Sequence, residues 1–148
     1  MDIHPIVVHF PIALLTLYAV FELFRFKKVL ERPYWFHIKA ILAILGEVSA
    51  LLAFLTGNEI EGNRLVEMHQ QFAGMSILIF GVIALGYLFE WFWPVKASLF
   101  VMRPYIIIPL ALLGLAVLTI TGGLGGAIVY GTKFDLFMVP IFKFLDVY

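Results

Sequence analysis

A chain of 148 residues that is 63% hydrophobic and only 14% charged cannot clothe itself in a polar surface, and it must meet lipid over most of its outside. Zero formal net charge, with the few basic residues placed at segment ends, excludes a nucleic-acid footprint. The absence of cysteine excludes disulfides, thiolate ligands, iron–sulfur clusters and covalently attached c-type haem.

Four apolar runs are long enough to span a hydrocarbon core, which takes about 20 helical residues. The first covers residues 6–24, is entered by Pro5 and carries Pro11 one turn further in. With no basic stretch ahead of it and no small-residue cleavage site behind it, this run reads as a retained helix. The second covers residues 38–56, the third 66–93 and the fourth 105–130, with Pro109 in its first turns. The runs are continuous rather than alternating, which points to helices and not to barrel strands. The expected fold is therefore an all-α membrane protein, an up-down bundle of four transmembrane helices over residues 1–131. Residues 132–148 form an apolar tail broken by Pro140, too short to span and expected to lie in the membrane interface.

Orientation follows from Lys and Arg. Arg25, Lys27, Lys28, Arg32, Lys39, Lys96 and Arg103 fall on one side, against Arg64, Lys133 and Lys143 on the other, where Glu59, Glu61 and Glu67 crowd one connection. The positive-inside rule then places both termini outside, periplasmic in a bacterium, with the protein in the inner membrane. Trp35, Trp91, Trp93, Tyr34 and Tyr105 fall at the inner ends as an aromatic belt.

The chemistry-bearing residues sit mostly at the outer ends. His9, Ala13 and Thr16 on the first helix share a pattern with His69, Ala73 and Ser76 on the third. Phe54-Leu55-Thr56-Gly57 and Thr119-Ile120-Thr121-Gly122 close the second and fourth helices alike, which suggests two parallel hairpin repeats. In an up-down bundle the first and third helices are diagonal and run the same way, so His9 and His69 come to one depth. Two neutral imidazoles with small residues below them suit axial ligation of a b-type haem; another metal or proton role and an interfacial, purely structural pair are the alternatives. His4 lies about 140° round the helix from His9 and suits a supporting role to a haem propionate or to the helix start. Arg64 is a propionate partner by charge. Gly122, Gly123, Gly125 and Gly126 sit at the same level and permit close approach of a helix or a ring.

His37 stands at the opposite end and reads as interfacial. Glu47 lies mid-helix near the bilayer centre, as a proton relay, a quinone contact or a neutral acid bonded to backbone. Glu22 could pair with Arg25. No phosphate loop, nucleophile–base pair or zinc-protease spacing is present, so hydrolysis has no machinery.

The opening HPIVVHFPIALL, His69 and the closing TGGLGGAIVYG together resemble a family of small bacterial membrane proteins known as domain of unknown function 2231. The resemblance runs over nearly the whole chain and implies a four-helix inner-membrane domain, in some relatives joined to cytochrome c or Rieske-type modules. That company implies electron transfer, although the family carries no established activity.

The leading expectation is an electron-transfer subunit holding haem b between the first and third helices, with His9 and His69 as axial ligands. Its partners would be the lipid bilayer and a membrane redox complex, a cytochrome c or Rieske-type protein, or a quinone. A non-catalytic scaffold or accessory subunit of a larger respiratory or photosynthetic complex is the second reading. A small proton or solute transporter using Glu47 is the third. Whether the chain is an enzyme is left open, with an electron carrier or accessory subunit expected rather than an independent catalyst.

Overall fold

The protein is described by a computed structural model over residues 4–24, 32–57, 64–93 and 104–147. Its helices are α1 (His4–Val7), α2 (His9–Leu23), α3 (Pro33–Leu55), α4 (Arg64–Phe92), α5 (Pro104–Tyr130) and α6 (Val139–Phe144). The orientation-bearing residues Arg25, Lys27, Lys28, Glu59, Glu61, Lys96 and Arg103 lie outside the described residues.

α1 and α2 are one rod interrupted at Val8. Val8 keeps helical angles (φ −64°, ψ −22°), its amide reaches the His4 carbonyl at 3.1 Å, and its own carbonyl accepts from Ile12 at 3.4 Å. The interruption belongs to Pro11, which has no N–H for the Val7 carbonyl and crowds it with its ring. Residues 4–23 together rise about 30 Å at about 1.5 Å per residue, whereas α2 alone, with 15 residues, rises about 22 Å. α3, α4 and α5 are each long and apolar enough to cross a membrane, and α2 is a shorter apolar helix.

Packing follows two kinds of stripe. α2 buries Pro11, Leu15, Tyr18 and Glu22, and α4 buries Ser76, Phe80, Ile83 and Tyr87, both at alternating three- and four-residue steps. α3 meets α2 with small residues: Ala40, Ala43 and Gly46 are buried, and a Cβ on Gly46 would stand 2.8 Å from Leu15 Cγ. Bare backbone at Gly46 is what lets the two helices close.

The helices form a ring in which α2 packs on α3, α3 on α4, α4 on α5, and α5 returns to α2. Ring neighbours are antiparallel, since the end of α2 meets the start of α3 (Glu22 with Lys39) and the start of α1 meets the end of α3 (His4 with Thr56). α2 and α4 are diagonal and run the same way. Tyr18 fills the centre between them, edge-on to Phe80 at 6.4 Å and to Tyr87 at 5.7 Å. Leu15, Ala43, Phe80, Ile83 and Ala111 belong with it to one buried apolar cluster. Outward-facing Leu45, Leu78, Leu85 and Leu113 are exposed, as a lipid-facing surface requires.

The tail is better ordered than a broken interfacial segment. Pro140 sits in the first turn of α6, where a missing N–H costs little, instead of breaking a helix. Met138 and Phe142 are buried against Leu124 and Ala127 of α5. Leu136, Phe137 and Phe144 point away and are more than four-fifths exposed (81%, 93% and 88%).

Candidate functional site

Polar side chains gather at the two ends of the bundle, with the apolar layer around Tyr18 between them and Glu47 buried at mid-height on α3. At one end are His4 and His69. His4 Nδ1 lies 3.3 Å from Thr56 Oγ1, and His69 Nδ1 lies 3.0 Å from the Thr121 carbonyl oxygen. In each case the threonine is 52 residues beyond the histidine, at the far end of the antiparallel partner helix.

These contacts constrain the tautomers. A carbonyl only accepts, so His69 Nδ1 carries the proton. The single hydroxyl proton of Thr56 is donated to the Ala53 carbonyl at 2.9 Å, so Thr56 Oγ1 accepts from His4 Nδ1. Nε2 is therefore the basic nitrogen on both rings. Below them, Ser76 Oγ and Thr121 Oγ1 stand 3.3 Å apart.

His9, the expected partner of His69, lies on a different face from His4. His9 is exposed, while His4 is half-buried and continues the interior stripe at positions 4, 8, 11, 15, 18 and 22. The five-residue step between the histidines turns through about 140°, so only one can face inward, and the bundle takes His4. Arg64 reaches the Leu145 carbonyl at 3.4 Å and the Asp146 carboxylate at 3.9 Å, so it holds the tail beside α6. Gly125 passes under His69, whose Cε1 would be 3.1 Å from an added Cβ, and Gly123 passes under Met138. A Cβ on Gly122 or Gly126 would meet open space.

The other end was not foreseen. Lys39 is buried on α3 and gives Glu22 of α2 bonds of 2.9 and 2.8 Å to its two carboxylate oxygens. Tyr87 of α4 donates to Glu22 Oε2 at 2.8 Å, and Lys39 Nζ lies 5.8 Å from the centre of its ring. Three helices are thus tied by one carboxylate that accepts three hydrogen bonds from two donor groups, while Arg25, the partner expected for Glu22, lies outside the described residues. Among the described residues, the hydroxyl of Tyr18 and Nε1 of Trp35 are buried without a hydrogen-bond partner. His37 is exposed and meets Trp91 edge-on at 4.8 Å, clear of this cluster. A sequence signal for both ends did exist. His4 precedes Glu22 by 18 residues, and His69 precedes Tyr87 by the same interval.

Among the described residues no group of three or more His, Cys, Asp or Glu side chains could hold a metal ion. A tetrahedral zinc site needs such a group, whereas axial ligation of haem needs two imidazoles.

A family described as predicted membrane proteins, DUF2231, matches residues 1–135. No curated protein and no solved structure matches the chain.

Proposed function

The chain belongs to that DUF2231 family of predicted membrane proteins, and we propose that it is a membrane-spanning electron-transfer subunit whose haem b is held by His4 and His69. The kinked rod 4–23 is the fourth span beside α3, α4 and α5, both termini face the periplasm, and the membrane is the bacterial inner membrane. The observation that carries the reading is the pair of threonine-locked imidazoles at one depth on diagonal helices, each with Nε2 as its basic nitrogen.

The residues do for such a cofactor what binding requires. Hydrogen bonds from Nδ1 hold each ring in one tautomer and orientation and raise the basicity of Nε2. Gly125 lets the His69 ring lie against backbone, and Gly122 and Gly126 leave clearance beside it. The dry layer of Leu15, Phe80 and Ile83 closes the floor to water. When bound, the haem supplies one-electron redox chemistry; the protein supplies ligation, burial and a low-dielectric wall. Lipid covers the apolar flanks, and the exposed tail residues Leu136, Phe137 and Phe144 enter the interface of the histidine end. The electron partner, a cytochrome c, Rieske-type protein, quinone or larger complex, docks at that end.

A reduced-minus-oxidised visible spectrum of the purified protein tests this. A sharp α-band is expected, lost in His4→Ala and in His69→Ala and retained in His9→Ala. Absence of Soret absorbance after haem supplementation would sink the reading. A second reading, an accessory subunit of a larger membrane complex, is favoured by Gly122 and Gly126, whose backbone stands open four residues apart on α5. It predicts a colourless protein that co-purifies with membrane partners.

A further inference from the structure

The bundle buries two glutamates, and it treats them in opposite ways. Glu22 receives both bonds of Lys39 and the hydroxyl of Tyr87, enough donors to hold a carboxylate ionised away from water. Glu47 has no such company. It is 7% exposed, and among the described residues its Oε2 is buried without a hydrogen-bond partner.

Its position sharpens the contrast. Glu47 follows Lys39 by eight residues on α3 and precedes Thr56 by nine, so it stands about 12 Å from one polar end and about 14 Å from the other. Between the histidine level and the Glu22 level it is the only Asp, Glu, Lys or Arg among the described residues, and the one His in that interval, His9, is exposed on the outside of α2. The groups that could charge or neutralise it are committed elsewhere: Lys39 to Glu22, and Tyr87 to the same carboxylate. Across the α3–α4 seam it faces Gly81, where an added Cβ would lie 3.3 Å from Glu47 Oε1. α4 therefore offers a notch of bare backbone with no side-chain donor. Its neighbours one turn away on α3 are Ala43, Ala50 and Leu51. A carboxylate with no counter-ion at this depth is far more costly than a neutral acid.

We propose that Glu47 is a proton-binding site at the membrane midplane, opening on lipid through the α3–α4 seam: its occupant is a proton, and the acid is available to lipid-soluble carboxyl reagents. A dialkylcarbodiimide makes the chemistry explicit. The acid gives its proton to one carbodiimide nitrogen while its oxygen bonds to the central carbon, whose C=N becomes a single bond. The O-acylisourea then rearranges to a stable N-acylurea, so the residue gains the whole mass of the reagent and nothing leaves. Glu22, ionised and held by Lys39, has no proton to start this reaction and lies behind the helices.

The test uses the full chain in lipid vesicles, treated with dicyclohexylcarbodiimide and mapped by peptide mass, beside an infrared spectrum before and after transfer to D₂O. The expected result is label on Glu47 and none on Glu22, and none anywhere in α3 of Glu47→Gln. The carboxylic-acid carbonyl band should shift in D₂O and be missing from Glu47→Gln, while persisting in Glu22→Gln. Label on Glu22 with Glu47 untouched would overturn the proposal. So would an acid band that survives Glu47→Gln, or one that fails to exchange. Both readouts are blind to haem, so they stand or fall separately from the cytochrome reading.

Discussion

The first hairpin, running from His4 to Gly57, and the second, running from His69 to Gly122, are related by a shift of 65 residues. The shift carries His4 onto His69, Leu15 onto Phe80, Glu22 onto Tyr87 and Thr56 onto Thr121. At the histidine end the two halves agree in function as well as position, since each ring gives its Nδ1 proton to an oxygen of its matched threonine. In the core they agree in kind: Leu15 rests on Gly46 and Phe80 on Gly114, the second glycine one turn further along because the ring reaches further. At the other end they part. Glu22 bonds to Tyr87, its own counterpart, while Lys39 is matched by Pro104 and Glu47 by Leu112. A near-symmetric pair of imidazoles suits one ligand shared between the halves. An ion pair present in one half only serves to lock them together, and a lone acid serves neither symmetry nor locking.

The widest departure between the halves should give the largest effect. Lys39→Met takes the ion-pair partner away from the buried Glu22, at a cost of about 3–5 kcal/mol. Denaturant titration of the detergent-solubilised protein measures it, and the double variant Lys39→Met/Glu22→Gln should recover most of the loss. If the single variant is neutral, the lock is not needed.

The core match predicts similar losses on both sides. Gly46→Ala drives a methyl into Leu15, and Gly114→Ala drives one to 2.8 Å from Phe80 Cζ. Each should cost about 1–3 kcal/mol in the same titration. Gly122→Ala meets open space and should stay within about 0.5 kcal/mol.

The histidine end offers a finer distinction. Thr56→Val removes the acceptor of His4, whereas Thr121→Val keeps the carbonyl that serves His69. Imidazole ¹⁵N spectra should show the His4 tautomer released in the first variant and the His69 tautomer unchanged in the second. If haem binds as proposed, Thr56→Val weakens it by roughly 10–100-fold and Thr121→Val leaves it nearly intact. Equal behaviour of the two variants would mean that the halves hold their histidines in the same way after all.

Much of this architecture is written in composition and periodicity. Long apolar runs with charges at their ends dictate membrane helices, because buried backbone has no other way to satisfy its polar groups in lipid. The matched closings at Thr56-Gly57 and Thr121-Gly122 already held the repeat, and the same shift applied to His69 leads to His4. The pairing of His9 with His69 rests on the local likeness of His-Ala-hydroxyl patterns, and such likeness carries no information on the face that turns inward. That face was decided by the stripe through Pro11, Leu15 and Tyr18, whose burial turns His9 to the outside.

Sequence by itself determined that the chain is helical, apolar outside and marked by histidines near helix starts, since each follows from hydropathy and short-range spacing. Tertiary structure alone decided which histidine faces in, that Arg64 holds the tail, and that Lys39 is buried on Glu22 while Glu47 is left without a partner. Those outcomes depend on helix rotation and on contacts between residues 17 to 81 positions apart. No local pattern encodes such contacts; they follow from how four stripes of unequal side chains fit together.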